Sequence, residues 1–295
     1  MPYKGRFAPT PSGPAHLGTM LAAVGSYLQA RANNGHWHVR IDDIDPPREV
    51  PGAADSILRT LENFGLYWDG PVIYQSQRHD AYEQALEQLT NGGITFECSC
   101  SRKDLSASAR HGPNGMIYPG TCRTGHARDA AQTSTRIIAE DIDVMVRDTV
   151  QGEYSLNIAN DIGDFVIRRA DYLFSYHLAT VVDDALDAYS EIVRGKDQLS
   201  LTPQHIYLQQ KLNVATPRYA HLPLLTDSQG NKLAKSSNAA PVDAMAPPDV
   251  WSIILASLGL QADDGLLLEQ PSTILGWATG QWDLFAIDAK DKIVE

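Results

Sequence analysis

No apolar run in the 295 residues approaches the length of a membrane span, and the N-terminus lacks the basic, then apolar, then small-residue succession of a secretory signal. Neither a membrane-spanning helix nor export is therefore expected, and the chain is expected in the cytoplasm. Cysteine is scarce: there are three, all between Cys98 and Cys122. The disulfide framework of a small secreted domain needs more of them, more widely spread, so a reducing compartment is expected. Basic charge is short too, with 24 Lys and Arg against 36 Asp and Glu and a net charge of −12. That argues against indiscriminate binding to nucleic acid. A nucleic-acid partner would need a local basic patch, and the stretch from Cys98 to Arg128 supplies a candidate. It holds Arg102, Lys103, Arg110, Arg123 and Arg128 against Asp104.

Neither an internal repeat nor a low-complexity segment interrupts the chain. Tyr3 to Ala8 reads as a strand, and Leu21, Val24, Gly25 and Leu28 fall at the spacing of a core-facing helix, ended by Asn33-Asn34-Gly35. His38 to Ile41 is the next strand. A helix carrying Ile57, Leu58, Leu61 and Phe64 follows, then a short strand at Val72 to Tyr74. The next helix carries Tyr82, Ala85, Leu86 and Leu89. Strands alternating with helices predict an α/β fold with a doubly wound parallel sheet of Rossmann type. Regularity lapses from Cys98 to about Ser134. Alternation around Thr135 to Val150 and Gly163 to Arg168 suggests antiparallel strands in an inserted subdomain. The parallel pattern resumes with a helix from about Tyr176, a strand at Glu191 to Arg194, and a helix capped by Thr202-Pro203. A helix from Pro247-Pro248 and another near Ser272 close the chain, and the acidic tail after Asp288 is expected to be loose. The implied division is 1–97 and 171–237 for the two halves of the catalytic domain, 98–170 for the insertion and 238–295 for a helical region.

Two stretches carry chemistry. Arg6-Phe-Ala-Pro-Thr-Pro-Ser-Gly-Pro-Ala-His16-Leu-Gly18-Thr19 is a strand followed by a loop of small residues opening onto a helix. Free backbone N–H groups and the helix dipole favour an anion there, and His16 can donate to a phosphate or a sugar. Far downstream, Lys232-Leu-Ala-Lys235-Ser-Ser places two lysines beside hydroxyls on a polar loop. Compact ammonium charges of that kind suit a departing pyrophosphate.

Together the two stretches resemble the HIGH and KMSKS motifs of the class I aminoacyl-tRNA synthetases. Arg6-Phe-Ala-Pro, Arg40-Ile-Asp-Asp-Ile-Asp and Ile192-Val-Arg-Gly-Lys-Asp are similar to words of the glutamyl branch. Thr19 stands where the second histidine of HIGH would be, as in the glutamyl group. About sixty residues follow the KMSKS-like loop, too few for the anticodon-binding region of a glutamyl-tRNA synthetase. In this the chain resembles the truncated paralogues that attach glutamate to queuosine in the anticodon of tRNA(Asp). The resemblance implies activation of glutamate by ATP without tRNA, Mg2+ with the nucleotide, tRNA(Asp) as partner, and a monomer. A truncated enzyme charging tRNA(Glu), and a silent paralogue that binds tRNA or an adenylate without turnover, are the other readings.

By the same resemblance Arg6, Phe7, Ala8, Pro9, Thr10, Asp42, Tyr176 and Arg194 would line the glutamate pocket. His16, Gly18, Thr19 and Lys235 would hold ATP, with Lys232 beside them. Two guanidinium forks suit two carboxylates, and a carboxylate suits the ammonium. Asp42 departs from the family, which has glutamate there, and so withdraws the charge by one methylene. Asp183 and Asp184 match a family word, Val-Val-Asp-Asp, with helix-end capping as open to them as substrate contact. Cys98, Cys100 and Cys122 fall one short of a tetrahedral zinc site. His111 would be the usual fourth donor on chemistry alone. The resemblance instead implies Tyr118, from Tyr118-Pro-Gly-Thr-Cys122, and structural Zn2+.

Overall fold

The computed structural model describes residues 2–106, 110–125, 129, 132–230 and 241–294. Strand β1 (Lys4–Phe7) leads through the small-residue loop to helix α1 (Leu17–Ala32), and β2 (His36–Ile41) returns parallel to β1. The helix begins one turn earlier than its apolar spacing suggests, because His16 is its N-cap. Helix α2 (Ala53–Asn63) and β3 (Ile73–Tyr74) extend the sheet on the far side of β2. In α3 (His79–Asn91) the buried residues are the periodic set Tyr82, Ala85, Leu86 and Leu89.

An antiparallel part then begins at β4 (Thr95–Cys98), whose last residue is the first of the three cysteines. The short α4 (Arg102–Ser106) and the hairpin of β5 (Arg110–Gly112) and β6 (Gly115–Ile117) follow. Strand β7 (Ser134–Ile137) pairs with β4. Strands β8 (Asp143–Asp148) and β9 (Gly152–Asn157) form a second hairpin, and β10 (Val166–Arg168) pairs with β7. Sequence reasoning did not find β9, where the alternation is confined to Tyr154 and Leu156 among the polar residues of Gly-Glu-Tyr-Ser-Leu-Asn.

After α5 (Tyr176–Leu186), β11 (Glu191–Gly195) lies beside β1, where the Ser190 N–H donates to the Lys4 carbonyl at 2.9 Å. Helix α6 (Thr202–Leu212) leads to β12 (Arg218–Leu222), parallel to β11 and, on its other edge, to β8. Spatial order is therefore β3-β2-β1-β11-β12-β8, with the chain reversing its direction of growth between β1 and β11. Ligands in such sheets bind beyond the carboxyl ends of the strands at that reversal.

One face of the sheet is covered by α1 with α7 (Pro247–Ser257) and α9 (Pro271–Gly280), the other by α3, α5 and α6. Gly25 on α1 faces β12 so closely that a Cβ would stand 2.5 Å from Leu222. Its amphipathic pattern is thus a packing requirement as well as a burial one. Between α7 and α9 lies the short α8 (Asp264–Leu267). The C-terminal segment is not loose. Strand β14 (Lys292–Ile293) pairs with β13 (Leu225–Thr226), and the Lys292 and Val294 N–H groups bond to Leu224 and Thr226. Gln29 of α1 ties distant parts together, donating to Glu191 at 2.6 Å and accepting from the Trp282 indole at 2.7 Å. No helix among the described residues is long and apolar enough to cross a membrane.

Candidate active site

A cavity of about 640 Å³ opens at the carboxyl ends of β1, β2, β11 and β12. Its lining includes Arg6, Phe7, Ala8, Pro9, Thr10, His16, Gly18, Thr19, Asp42, Tyr176 and Arg194. Residues far apart in the chain meet here because four parallel strands end side by side. Lys232 and Lys235 lie outside the described residues.

The loop after β1 delivers the N-terminus of α1 to the cavity. The Nδ1 of His16 accepts from the Thr19 N–H at 3.4 Å, which leaves the ring proton on Nε2. A 16-residue helix with its first turn on a cavity is a favourable seat for phosphate.

The two arginines expected to share the substrate's carboxylates are not equivalent. Arg6 donates from Nε and Nη2 to the two oxygens of Asp184, at 3.2 and 3.1 Å. Arg40, fully buried beneath them, donates to Asp42 and to Asp184, each at 2.7 Å. Asp183 lies 3.7 Å from Arg40 and accepts from Gln75 and Tyr82. Neither Asp183 nor Asp184 caps a helix end. Both sit inside α5, buried, facing arginines. Burial pushes the Asp184 carboxyl up, but Arg6 and then Arg40 pull it below the usual range. Asp42 shows the other balance: burial outweighs Arg40 and raises it to about 6.

Arg194 has no such partner. Its guanidinium donates to His221 Nε2 (3.0 Å), the Thr202 hydroxyl (2.8 Å), the Gln198 carbonyl (3.3 Å) and the Tyr176 hydroxyl (3.5 Å), with His205 Nδ1 at 3.4 Å. Among the described residues none of its partners is a carboxylate. Burial and then Arg194 hold His205 well below its usual pKa and His177 near 4, so the imidazoles around it are neutral at pH 7. Thr202 is not an N-cap either. It is the first residue of α6, and its hydroxyl serves Arg194 and the Gln198 carbonyl.

A second cavity of about 400 Å³ shares Thr10, Asp42, Arg48 and Tyr176 with the first. Around it Gln75 Oε1, Asn114 Oδ1, Arg136 Nε and His177 Nδ1 are buried without a hydrogen-bond partner among the described residues. Hydrogen-bonding capacity is therefore concentrated on both sides of Tyr176.

The three cysteine sulfurs converge to within 4.8 Å of one another. Tyr118 Oη stands 3.4 Å from Cys98 Sγ and 3.6 Å from Cys100 Sγ, and accepts from the Cys122 N–H at 2.8 Å. Cys100 and Cys122 sulfurs are 3.6 Å apart. A tetrahedral zinc with bonds of about 2.3 Å puts its thiolates about 3.8 Å from one another, so these four donors fit such an ion. His111 does not join them. It is exposed on β5, outside the cluster. Of the basic residues nearby, Arg102, Lys103 and Arg110 are exposed, Arg123 pairs with Asp164, and Arg128 lies outside the described residues.

Comparison with known proteins agrees with this architecture. Residues 3–249 match the family described as tRNA synthetases class I (E and Q), catalytic domain. A glutamyl-Q tRNA(Asp) synthetase of Pseudomonas putida is 46% identical over 294 residues, covering 99% of this chain and 95% of that protein. One from Neisseria gonorrhoeae is 47% identical over 285 residues, 96% of each. The chain belongs to the glutamyl-Q tRNA(Asp) synthetase family. Among solved structures, a glutamate-tRNA synthetase of Elizabethkingia anophelis shares the fold, with a TM-score of 0.82 at 22% identity, over 100% of this chain and 68% of that one.

Seen in this member of the family, the residues that sequence reasoning missed are Arg40, Asp148 and His221. Arg40 was visible only as part of a familiar word. Nothing local marks Asp148 and His221, which are 73 positions apart and meet because β8 and β12 pair.

Proposed function

We propose that this chain activates glutamate with ATP, without tRNA, and passes the glutamyl group to queuosine of tRNA(Asp). The observation that carries the reading is Arg194: a buried cation on the cavity wall, bonded among the described residues only to neutral groups. Burying an uncompensated charge is costly, so such a site is built for an anion that arrives later. The side-chain carboxylate of glutamate is that anion, with Arg6 contributing the Nη1 edge that Asp184 leaves over. Asp42 meets the ammonium. The phosphates of ATP lie against the start of α1 with their Mg2+, and Lys232 and Lys235 meet the pyrophosphate.

In the first step the α-carboxylate oxygen of glutamate attacks the α-phosphorus, and the bond to pyrophosphate breaks. A hydroxyl of the acceptor then attacks the acyl carbon, and AMP leaves with the bonding electrons. The protein's part is to position the reactants and to place charge where it is needed. The second cavity, with the acceptors Gln75 Oε1 and Asn114 Oδ1 and the donor Arg136 Nε unused among the described residues, suits a nucleoside presenting hydroxyls and an amine. Zn2+, held by Cys98, Cys100, Cys122 and Tyr118, would order the stretch from Cys98 to Gly125 without entering the reaction. The exposed Arg102, Lys103 and Arg110 would meet tRNA phosphates, which position without specifying.

Two assays test the reading. Glutamate-dependent ATP–pyrophosphate exchange should proceed without tRNA, and glutamylation should need queuosine-containing tRNA(Asp). Equal labelling of queuosine-free tRNA(Asp), or efficient charging of tRNA(Glu), would overturn it.

A further inference from the structure

A file of three buried side chains runs from β8 through β12 to β11. Asp148 Oδ2 lies 2.5 Å from His221 Nδ1, and His221 Nε2 accepts from Arg194 Nε at 3.0 Å. The Asp148 and His221 side chains are sealed from solvent, and neither residue lines the large cavity. The other oxygen of Asp148 is committed elsewhere. It accepts from the backbone N–H groups of Val150 (3.0 Å), Gln151 (2.8 Å) and His221 (3.0 Å). Those three donors decide which oxygen is left for the imidazole.

An ionised carboxylate can only accept, so the ring proton of His221 must sit on Nδ1. Burial keeps the ring neutral, lowering its pKa to about 4 against the pull of Asp148. A neutral ring protonated on Nδ1 has a bare lone pair on Nε2, and that lone pair faces Arg194. Were the proton on Nε2 instead, two N–H groups would confront each other 3.0 Å apart.

We propose that Asp148 and His221 are positioning residues for glutamate: the aspartate selects the imidazole tautomer, and the tautomer fixes the plane of Arg194 before substrate arrives. The inference rests on the proposed role of Arg194 in holding the substrate carboxylate. Locking a first contact through groups behind it is how a site keeps its geometry.

Asp148→Asn is the informative change. Its carbonyl oxygen would keep the three backbone donors, so its amide nitrogen would face Nδ1 as a donor. The ring proton is then forced to Nε2, against Arg194. The Michaelis constant for glutamate in tRNA-free pyrophosphate exchange should rise about tenfold or more, that for ATP should stay near wild type, and nitrogen NMR should show the histidine tautomer switched. Arg194→Ala is measured alongside. If Arg194→Ala leaves the glutamate constant unchanged, the role of Arg194 itself fails. If Arg194→Ala raises it while a folded Asp148→Asn does not, the positioning proposal is overturned and the reading of Arg194 survives. An equal rise for glutamate and ATP would also overturn it, since that is general distortion. Should Asp148→Asn fail to fold, His221→Gln keeps an acceptor for Arg194 and His221→Leu does not, and equal glutamate constants for the two would sink the idea.

Discussion

Arg6 and Asp184 form a two-pronged ion pair, buried on both sides and joining residues 178 positions apart. Asp184 also takes Arg40, so a single carboxylate serves two guanidiniums. Asp184→Ala leaves both uncompensated at that point, and breaking a buried pair this way costs about 3–5 kcal/mol. Urea unfolding should show a loss of that size. A midpoint near wild type would mean that water replaces the carboxylate.

Arg194→Ala removes the cation without stranding a carboxylate, because its partners are neutral. The fold should tolerate it, and thermal unfolding should shift little. Glutamate activation should fall steeply, since a lost hydrogen bond to a charged group is worth about 1.5–3 kcal/mol and two or more are at stake. ATP binding, followed by fluorescence of a nucleotide analogue, should persist. Near-normal exchange at low glutamate would refute the assignment.

Asp42 titrates near 6, raised chiefly by burial. The unfolded value is about 3.9, so the folded protein binds the proton more tightly. The sign for stability follows: this group favours the fold below pH ~4, and that contribution is lost as pH rises through about 6. Activity should move oppositely, because only the carboxylate meets an ammonium. Thus kcat/KM for glutamate should fall as pH drops below about 6, and Asp42→Asn should remove that acid limb. An unchanged limb in the variant would assign it to another group. Asp42→Glu, which restores the family's longer side chain, should be tolerated. A large rise in the glutamate constant would show that the pocket is built around the Arg40–Asp42 contact.

Zinc should co-purify at about one ion per chain. Stripping it should raise hydrogen exchange in the cysteine-bearing stretch more than in the parallel sheet, because few apolar side chains back Cys98, Tyr118 and Cys122. Tyr118→Phe should weaken the metal, and His111→Ala should not. The reverse pattern would replace Tyr118 as fourth donor.

Much of the fold could be read from local pattern where burial is one-sided, as in α3 with its four inward residues. Reading failed where polar residues go inside. Strand β12, Arg-Tyr-Ala-His-Leu, escapes notice because His221 looks like a surface residue, yet it is fully buried and satisfied by Asp148. The residues expected around glutamate line one cavity, because short motifs at strand ends survive as words. How the charges pair was not legible. Whether Arg6 turns to substrate or to Asp184 depends on a contact across the sheet that no spacing in the chain encodes.

Gln29 has a bearing on how the molecule is made. Its one amide group is shared by Glu191 and by Trp282, which lie 162 and 253 positions further along. Neither bond can form while those residues are still inside the ribosome, and β14 must arrive later still. Helix α1, whose first turn lies on the large cavity, therefore waits for Glu191 and then Trp282 before its inner face is closed. Long-range closure of this kind slows folding and prolongs exposure of apolar surface. The nascent chain should accordingly depend on chaperones most heavily just before α9 and Trp282 emerge.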